Sequence, residues 1–168
     1  LIGYNDQNFV SQMEMQLRSG ISFSLPHRLE YQVAERLVDL LVDRVPGWND
    51  TNDFSVRFGK TGTDATTMAL RVARAVTGKS AVLSYGYHGW SSEFADTSPA
   101  HGVPIEFQRD MIRKIEWNDK SSVMKVARRG DFAAIIVEHP VQETDEDWYP
   151  FLRKVCDDNH ALFIMDEI

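Results

Sequence analysis

A chain of 168 residues, 43% of them hydrophobic and 11% aromatic, holds enough apolar surface for one packed core. Its 26% charged content is too ordinary for a disordered segment. A net charge of −7 with no basic run argues against a nucleic-acid partner. No apolar stretch reaches the roughly 18 residues that span a bilayer, and no basic-then-apolar leader opens the chain, so no membrane association is expected. The single cysteine, Cys156, cannot close an internal disulfide and suits a reducing cytoplasm. Leu1-Ile2-Gly3-Tyr4 reads as the middle of a domain, and Leu162 to Ile168 is an apolar run without a closing turn, so the chain is expected to be a fragment.

The first expected helix covers Asn8 to Arg18, with Phe9, Val10, Met13 and Leu17 on one side, and Ser19-Gly20 ends it. Ile21 to Leu25 is a short extended link. Arg28 to Val45 gives the clearest helical pattern, with a stripe of Val33, Leu37, Leu40, Leu41 and Val45, a charged opposite side, and Pro46-Gly47 as its stop. Ser55 to Phe58 reads as a short strand running into the turn Gly59-Lys60-Thr61-Gly62. A helix follows at once, with Ala65, Ala69, Val72, Ala73 and Val76 as its expected buried side and Thr77-Gly78 as its cap. Unpaired N–H groups at such a helix start suit an anion such as phosphate. An ordinary strand-turn-helix with Thr63 as N-cap is the alternative.

Ala81 to Tyr85 reads as a buried strand, residues 90 to 110 as mostly loop, and Met111 to Trp117 as a further strand. Asn118-Asp119 begins a turn and Ser122 to Arg129 a short helix. Ala133 to Val137 is a continuous apolar run, the pattern of a central parallel strand covered on both faces. An acidic loop, Glu143 to Asp147, leads into a helix from Trp148 to Asn159, in which Cys156 is a packing residue. Ala161 to Met165 reads as a second fully buried strand. Strands alternating with helices at this spacing imply an α/β fold with a parallel sheet. Ligands of such sheets gather at the carboxyl ends of the strands. Gly62, Tyr87, Glu138 and Asp166 each follow an expected strand, which points to one shared site.

Four segments in order, Thr61-Gly62-Thr63-Asp64-Ala65, Tyr87-His88-Gly89, Val137-Glu138-His139-Pro140 and Asp166-Glu167, resemble the motifs of the class III aminotransferases. These are pyridoxal-phosphate enzymes of fold type I, and the likeness is greatest to the glutamate-1-semialdehyde 2,1-aminomutase branch. It runs from about Gly3 to Ile168. The resemblance implies a three-layer α/β/α arrangement with a mostly parallel sheet, the first half of the family's large domain. Residues 1–20 would be the end of an N-terminal segment, and 21–168 the N-terminal part of the pyridoxal-phosphate-binding domain. It implies amino-group transfer on a small amino acid or semialdehyde in a cytoplasmic homodimer, with the Phe23-Ser24-Leu25-Pro26 region near the dimer interface.

By the same resemblance Thr61, Gly62 and Thr63 would meet the cofactor phosphate, Tyr87 would stack on its ring with His88 beside it, Asp166 would pair with the pyridine nitrogen, and Glu138 would stand nearby. The family's Schiff-base lysine lies beyond the Asp-Glu strand. None of the six lysines here (Lys60, Lys79, Lys114, Lys120, Lys125 and Lys154) matches it, so no catalytic residue is assigned. Lys60 and Thr61 stand where the family has Asn and Ser, Asp64 where it has Glu, and His139 intrudes before Pro140. A noncatalytic relative that keeps the scaffold for binding or dimerisation is the alternative. A nucleotide-binding reading of the Gly59–Gly62 turn lacks the glycine spacings such loops use.

Overall fold

The computed structural model describes residues 3–47, 50–91, 93–94, 102, 111–140 and 143–168. The chain forms two compact units, Leu1–Phe58 and Gly59–Ile168. In the first, α1 covers Gln7–Ser19 and α2 covers Arg28–Arg44, each within a residue or so of its expected bounds. Asp6 caps α1 by accepting from the Phe9 amide at 2.8 Å, and Gly20 ends it at φ 107. His27 and Glu30 form a reciprocal capping box at the start of α2. No residue of either helix is buried, and Val33, Leu37, Leu40 and Leu41 are 39–46% exposed.

The strand expected at Ser55–Phe58 does not form, and these residues carry no regular structure. A strand exists only by pairing, and the four strands that pair among the described residues all come later in the chain.

In the second unit, α3 (Gly62–Thr77) is followed by β1 (Ala81–Tyr85), β2 (Ile112–Lys114), α4 (Lys120–Ala127), β3 (Phe132–Glu138), α5 (Trp148–Asp158) and β4 (Leu162–Asp166). The sheet order is β2-β1-β3-β4 and every neighbouring pair is parallel. Phe132 to Val137 are all buried, as an apolar run covered on both faces should be. On one face Val82, Ala134 and Ile136 meet Leu70 and Ala73 of α3. On the other, Leu83, Ile135 and Val137 meet Val123 of α4 and Trp148, Leu152, Val155 and Cys156 of α5. That is the three-layer α/β arrangement expected.

Several local expectations need correction. The buried side of α3 is Thr66, Leu70 and Ala73, while Val72 and Val76 are 56% and 69% exposed. Leu70 is fully buried, and it removes more apolar surface from water than the alanines at Ala65 and Ala69, so the helix turns to bury it. The cap of α3 is Thr61, not Thr63. Helix α4 starts two residues early because the Asp119 carboxylate accepts from the Ser121 and Ser122 amides. Strand β4 is only partly buried, with Met165 38% exposed, because it lies at the end of the four-strand order. Strand β2 keeps three residues of the longer run expected. Most of the loop expected over 90–110 lies outside the described residues.

Candidate functional site

The order β2-β1-β3-β4 places β2 on one side of β1 and β3 on the other. The chain therefore reverses its direction of winding between β1 and β3, and ligands of open parallel sheets sit outside the carboxyl ends at such a point. The segments beyond β1 and β3 are joined there. The Tyr87 amide donates to Glu138 Oε2 at 2.9 Å, across the crevice. A glycine is required for this approach. At Gly86, φ is +97, and a Cβ would fall 2.6 Å from the Glu138 Cβ.

His88 is 3% exposed, and both ring nitrogens are engaged. Nε2 lies 2.8 Å from the Tyr85 carbonyl and Nδ1 lies 2.9 Å from Asp166 Oδ2. A carbonyl only accepts, so Nε2 carries hydrogen, and one proton is then shared between Nδ1 and the carboxylate. Thr66 fixes this loop from α3, its hydroxyl donating to the His88 carbonyl at 2.7 Å. Gly89, at φ +109, packs so closely on Thr63 that a Cβ would lie 2.9 Å from the Thr63 Cβ and closer still to its Oγ1.

At the start of α3 the Thr61 hydroxyl accepts from the Asp64 amide at 3.1 Å, and Asp64 Oδ2 accepts from the Lys60 and Thr61 amides at 3.1 and 3.0 Å. Among the described residues the Gly62 and Thr63 amides donate to nothing, and they point out of the positive end of the helix. Nearest to Gly62 is Ile168, whose Cδ1 would meet a Cβ at 2.9 Å. Ile168 also lines an open cavity of about 470 Å³ together with Glu138, His139, Tyr149, Asp166 and Glu167.

The expected residues therefore fall into one neighbourhood. Tyr87 and Glu138 are bonded to each other, His88 and Asp166 are bonded to each other, and Glu138 and Asp166 are register partners on β3 and β4. Thr63 is in contact range of the Tyr-His-Gly loop. Tyr87 is 68% exposed, so its aromatic side chain is open to solvent. Two features of this neighbourhood are absent from the expectations. One is Thr66, a polar residue on the buried side of a helix, which is the signal that could have found it. The other is the hydrogen bond between His139 and the Tyr149 hydroxyl, beside Trp117. Burial, and then Glu167, holds the Tyr149 hydroxyl above the usual phenol range.

This geometry offers a carboxylate backed by a buried histidine, an open aromatic ring, and two amides at a helix start. Such groups suit a protonated heteroaromatic nitrogen, a flat ring and an anion respectively.

Comparison with known proteins gives the same outline. A family model described as aminotransferase class III matches residues 1–168. Over its whole length the chain is 30% identical to a glutamate-1-semialdehyde 2,1-aminomutase from Francisella philomiragia, spanning 41% of that protein. It is 31% identical to a 3-aminobutyryl-CoA aminotransferase from Cloacimonas acidaminovorans, spanning 40% of that one. Among solved structures, a lysine-to-alanine variant of a glutamate-1-semialdehyde aminomutase from Pseudomonas aeruginosa, in complex with PMP, superposes with a TM-score of 0.75 at 22% identity. That likeness covers 99% of this chain and 38% of the other. The chain thus spans about two fifths of the length of the relatives it matches. From the match over all its residues, this chain belongs to the class III aminotransferases.

Proposed function

We propose that the site at the carboxyl ends of β1, β3 and β4 holds pyridoxal 5′-phosphate or its amine form. The complete protein would move an amino group on a small amino acid or semialdehyde, as an aminotransferase or aminomutase. The observation that carries this reading is the His88–Asp166 pair at 2.9 Å, one loop away from the outward-facing amides of Gly62 and Thr63. The donor set fits the group. The Asp166 side chain is 11% exposed, enough to be reached, and its Oδ2 is already held by the His88 ring.

In this reading Thr61, Gly62 and Thr63 would hold the phosphate and Tyr87 would meet the ring. Asp166 would pair with the pyridine nitrogen, while His88 orients Asp166 and Glu138 holds the Tyr87 backbone. When bound, the cofactor supplies an electron sink for negative charge at the substrate α-carbon. His88 would contribute by holding Asp166 Oδ2 at 2.9 Å, which keeps the carboxylate aimed.

Residues 21–168 are read as the N-terminal part of the cofactor-binding large domain, with 1–20 as the segment leading into it. A cytoplasmic homodimer is part of the same proposal. Among the described residues no helix is long and apolar enough to cross a membrane. None of the six lysines of the chain matches the family's Schiff-base position, so the 168 residues alone are expected to bind cofactor weakly and to turn nothing over.

Pyridoxamine phosphate, which needs no covalent lysine, gives the test. Its affinity, measured by calorimetry, should fall about tenfold or more in Asp166→Asn and in Thr61→Val, each of which removes a charge-assisted or hydrogen-bonded contact. Affinity unchanged in both variants would refute the assignment.

A further inference from the structure

Thr66 lies in α3, one turn after Gly62, and is only 7% exposed. Its hydroxyl has one hydrogen and three carbonyl oxygens within reach. The His88 carbonyl is at 2.7 Å, and those of Gly62 and Thr63 are at 3.1 Å each. Two of these acceptors belong to its own helix, where a threonine hydroxyl commonly bonds back by one turn. The shortest contact instead leaves the helix and joins a loop 22 residues on.

The two partners in that bond belong to opposite halves of the candidate site. On the α3 side are the outward-facing amides of Gly62 and Thr63, proposed above for the phosphate. On the loop side are Tyr87 and His88, and the His88 ring holds Asp166 Oδ2 at 2.9 Å. A second contact makes the same join, since Gly89 at φ +109 packs on the Thr63 side chain where no Cβ fits. A loop lifted from α3 would leave the His88 carbonyl without its Thr66 donor. The hydroxyl would meanwhile turn back to the Gly62 and Thr63 carbonyls. The join therefore has two discrete arrangements, docked and undocked. Only the docked one fixes the first turn of α3 and the support of Asp166 together.

We propose that Thr66 is a positioning residue that couples the two halves of the cofactor site. Filling the phosphate end favours the docked loop, and the docked loop presents Asp166 to the ring nitrogen, so each half tightens the other. This rests on the cofactor assignment above and adds a cooperativity which that assignment alone does not require.

The test splits the cofactor into pyridoxamine and inorganic phosphate, titrated into the complete protein containing this chain, in its cofactor-free form. Calorimetry of pyridoxamine with and without saturating phosphate gives the coupling. Phosphate should tighten pyridoxamine binding about fivefold or more. Direct attraction between the two probes would also tighten binding, but Thr66→Val leaves every charge in place. That variant should cut the coupling about threefold or more, while Thr66→Ser, which keeps the hydroxyl, retains it. Thr77→Val removes a hydroxyl that bonds back to the Ala73 carbonyl at the far end of α3, and should leave the coupling as in the parent. Equal coupling in the parent and Thr66→Val, or an equal loss in Thr77→Val, would overturn the proposal. So would phosphate that leaves pyridoxamine affinity unchanged in the parent, a result that holds whatever the stability of the variants. Each of these results leaves the cofactor assignment standing if pyridoxamine phosphate still binds through Thr61 and Asp166, whereas loss of that dependence sinks both.

Discussion

Replacing Gly89 with alanine should weaken the fold by an amount that divides into two parts. The first is backbone strain, because a residue with a Cβ held at φ +109 costs about 1–3 kcal/mol. The second is overpacking, since the new Cβ would overlap Thr63 Oγ1 and stand 2.9 Å from the Thr63 Cβ and 3.0 Å from its Cγ2. Forcing one methyl into such a contact costs a further ~1–3 kcal/mol. Thr63→Ala removes the hydroxyl and the methyl but leaves both the Cβ and the strained φ. The double variant should therefore recover part of the loss, with a coupling of about 1 kcal/mol. Urea denaturation of the parent, both single variants and the double variant, followed by circular dichroism, gives the four corners of the cycle. A neutral Gly89→Ala would show that the Tyr-His-Gly loop does not sit on α3 as described. Strict additivity in the cycle would show that the loss is strain alone and that the Thr63 contact is relieved by movement.

The orientation of α3 is checked by Leu70→Ala, expected to cost about 2–5 kcal/mol, against Val76→Ala, expected to stay within about 0.5 kcal/mol; similar losses would contradict the assigned face. His88→Leu should cost about 1–3 kcal/mol because Asp166 loses the partner of its Oδ2. Adding Asp166→Leu should restore much of that loss, and a further drop would speak against the pair. Burial pushes the Cys156 thiol up to about 11, so the folded state favours its neutral form. The unfolded chain releases this proton from about pH 9 while the folded chain keeps it. The thiol's contribution is thus complete below about pH 9 and is lost as pH rises through about 11. Unfolding midpoints measured across that window should fall more steeply for the parent than for Cys156→Ala, and parallel curves would refute the effect.

The sequence is most readable where one residue set satisfies every requirement at once. Phe132 to Val137 is apolar at each position and buried at each, as a strand covered on both faces requires. The motifs after β1, β3 and β4 are readable as a group because the parallel sheet brings their ends together whatever the side chains do. The buried side of α3 is harder, because several alanines match the helical period as well as Leu70 does. Only the position of the sheet decides among such faces. The strand expected at Ser55–Phe58 fails for a related reason, since β-propensity describes a residue's fitness for a sheet and not the presence of a neighbour. His88 is legible as a member of the candidate site, but its bonding is not. Its two partners, Tyr85 and Asp166, lie 3 and 78 residues away, and only the folded chain brings them to one ring.

The strand order also sets a sequence of events for the folding chain. Ala134 pairs with Leu162, 28 residues on, whereas Ala81 pairs with Phe132, 51 residues on. Closing the longer loop costs about 0.5 kcal/mol more chain entropy, and the shorter one already contains α5, which packs on β3 as it forms. The β3-α5-β4 segment should therefore gain amide protection in pulsed hydrogen exchange before β1 and β3 pair. Protection of the β1–β3 pairing before that of β3–β4 would refute this order. If β3 does lead, the half of the candidate site carried by Glu138 and Asp166 is in place before the loop that carries Tyr87 and His88 arrives to close on it.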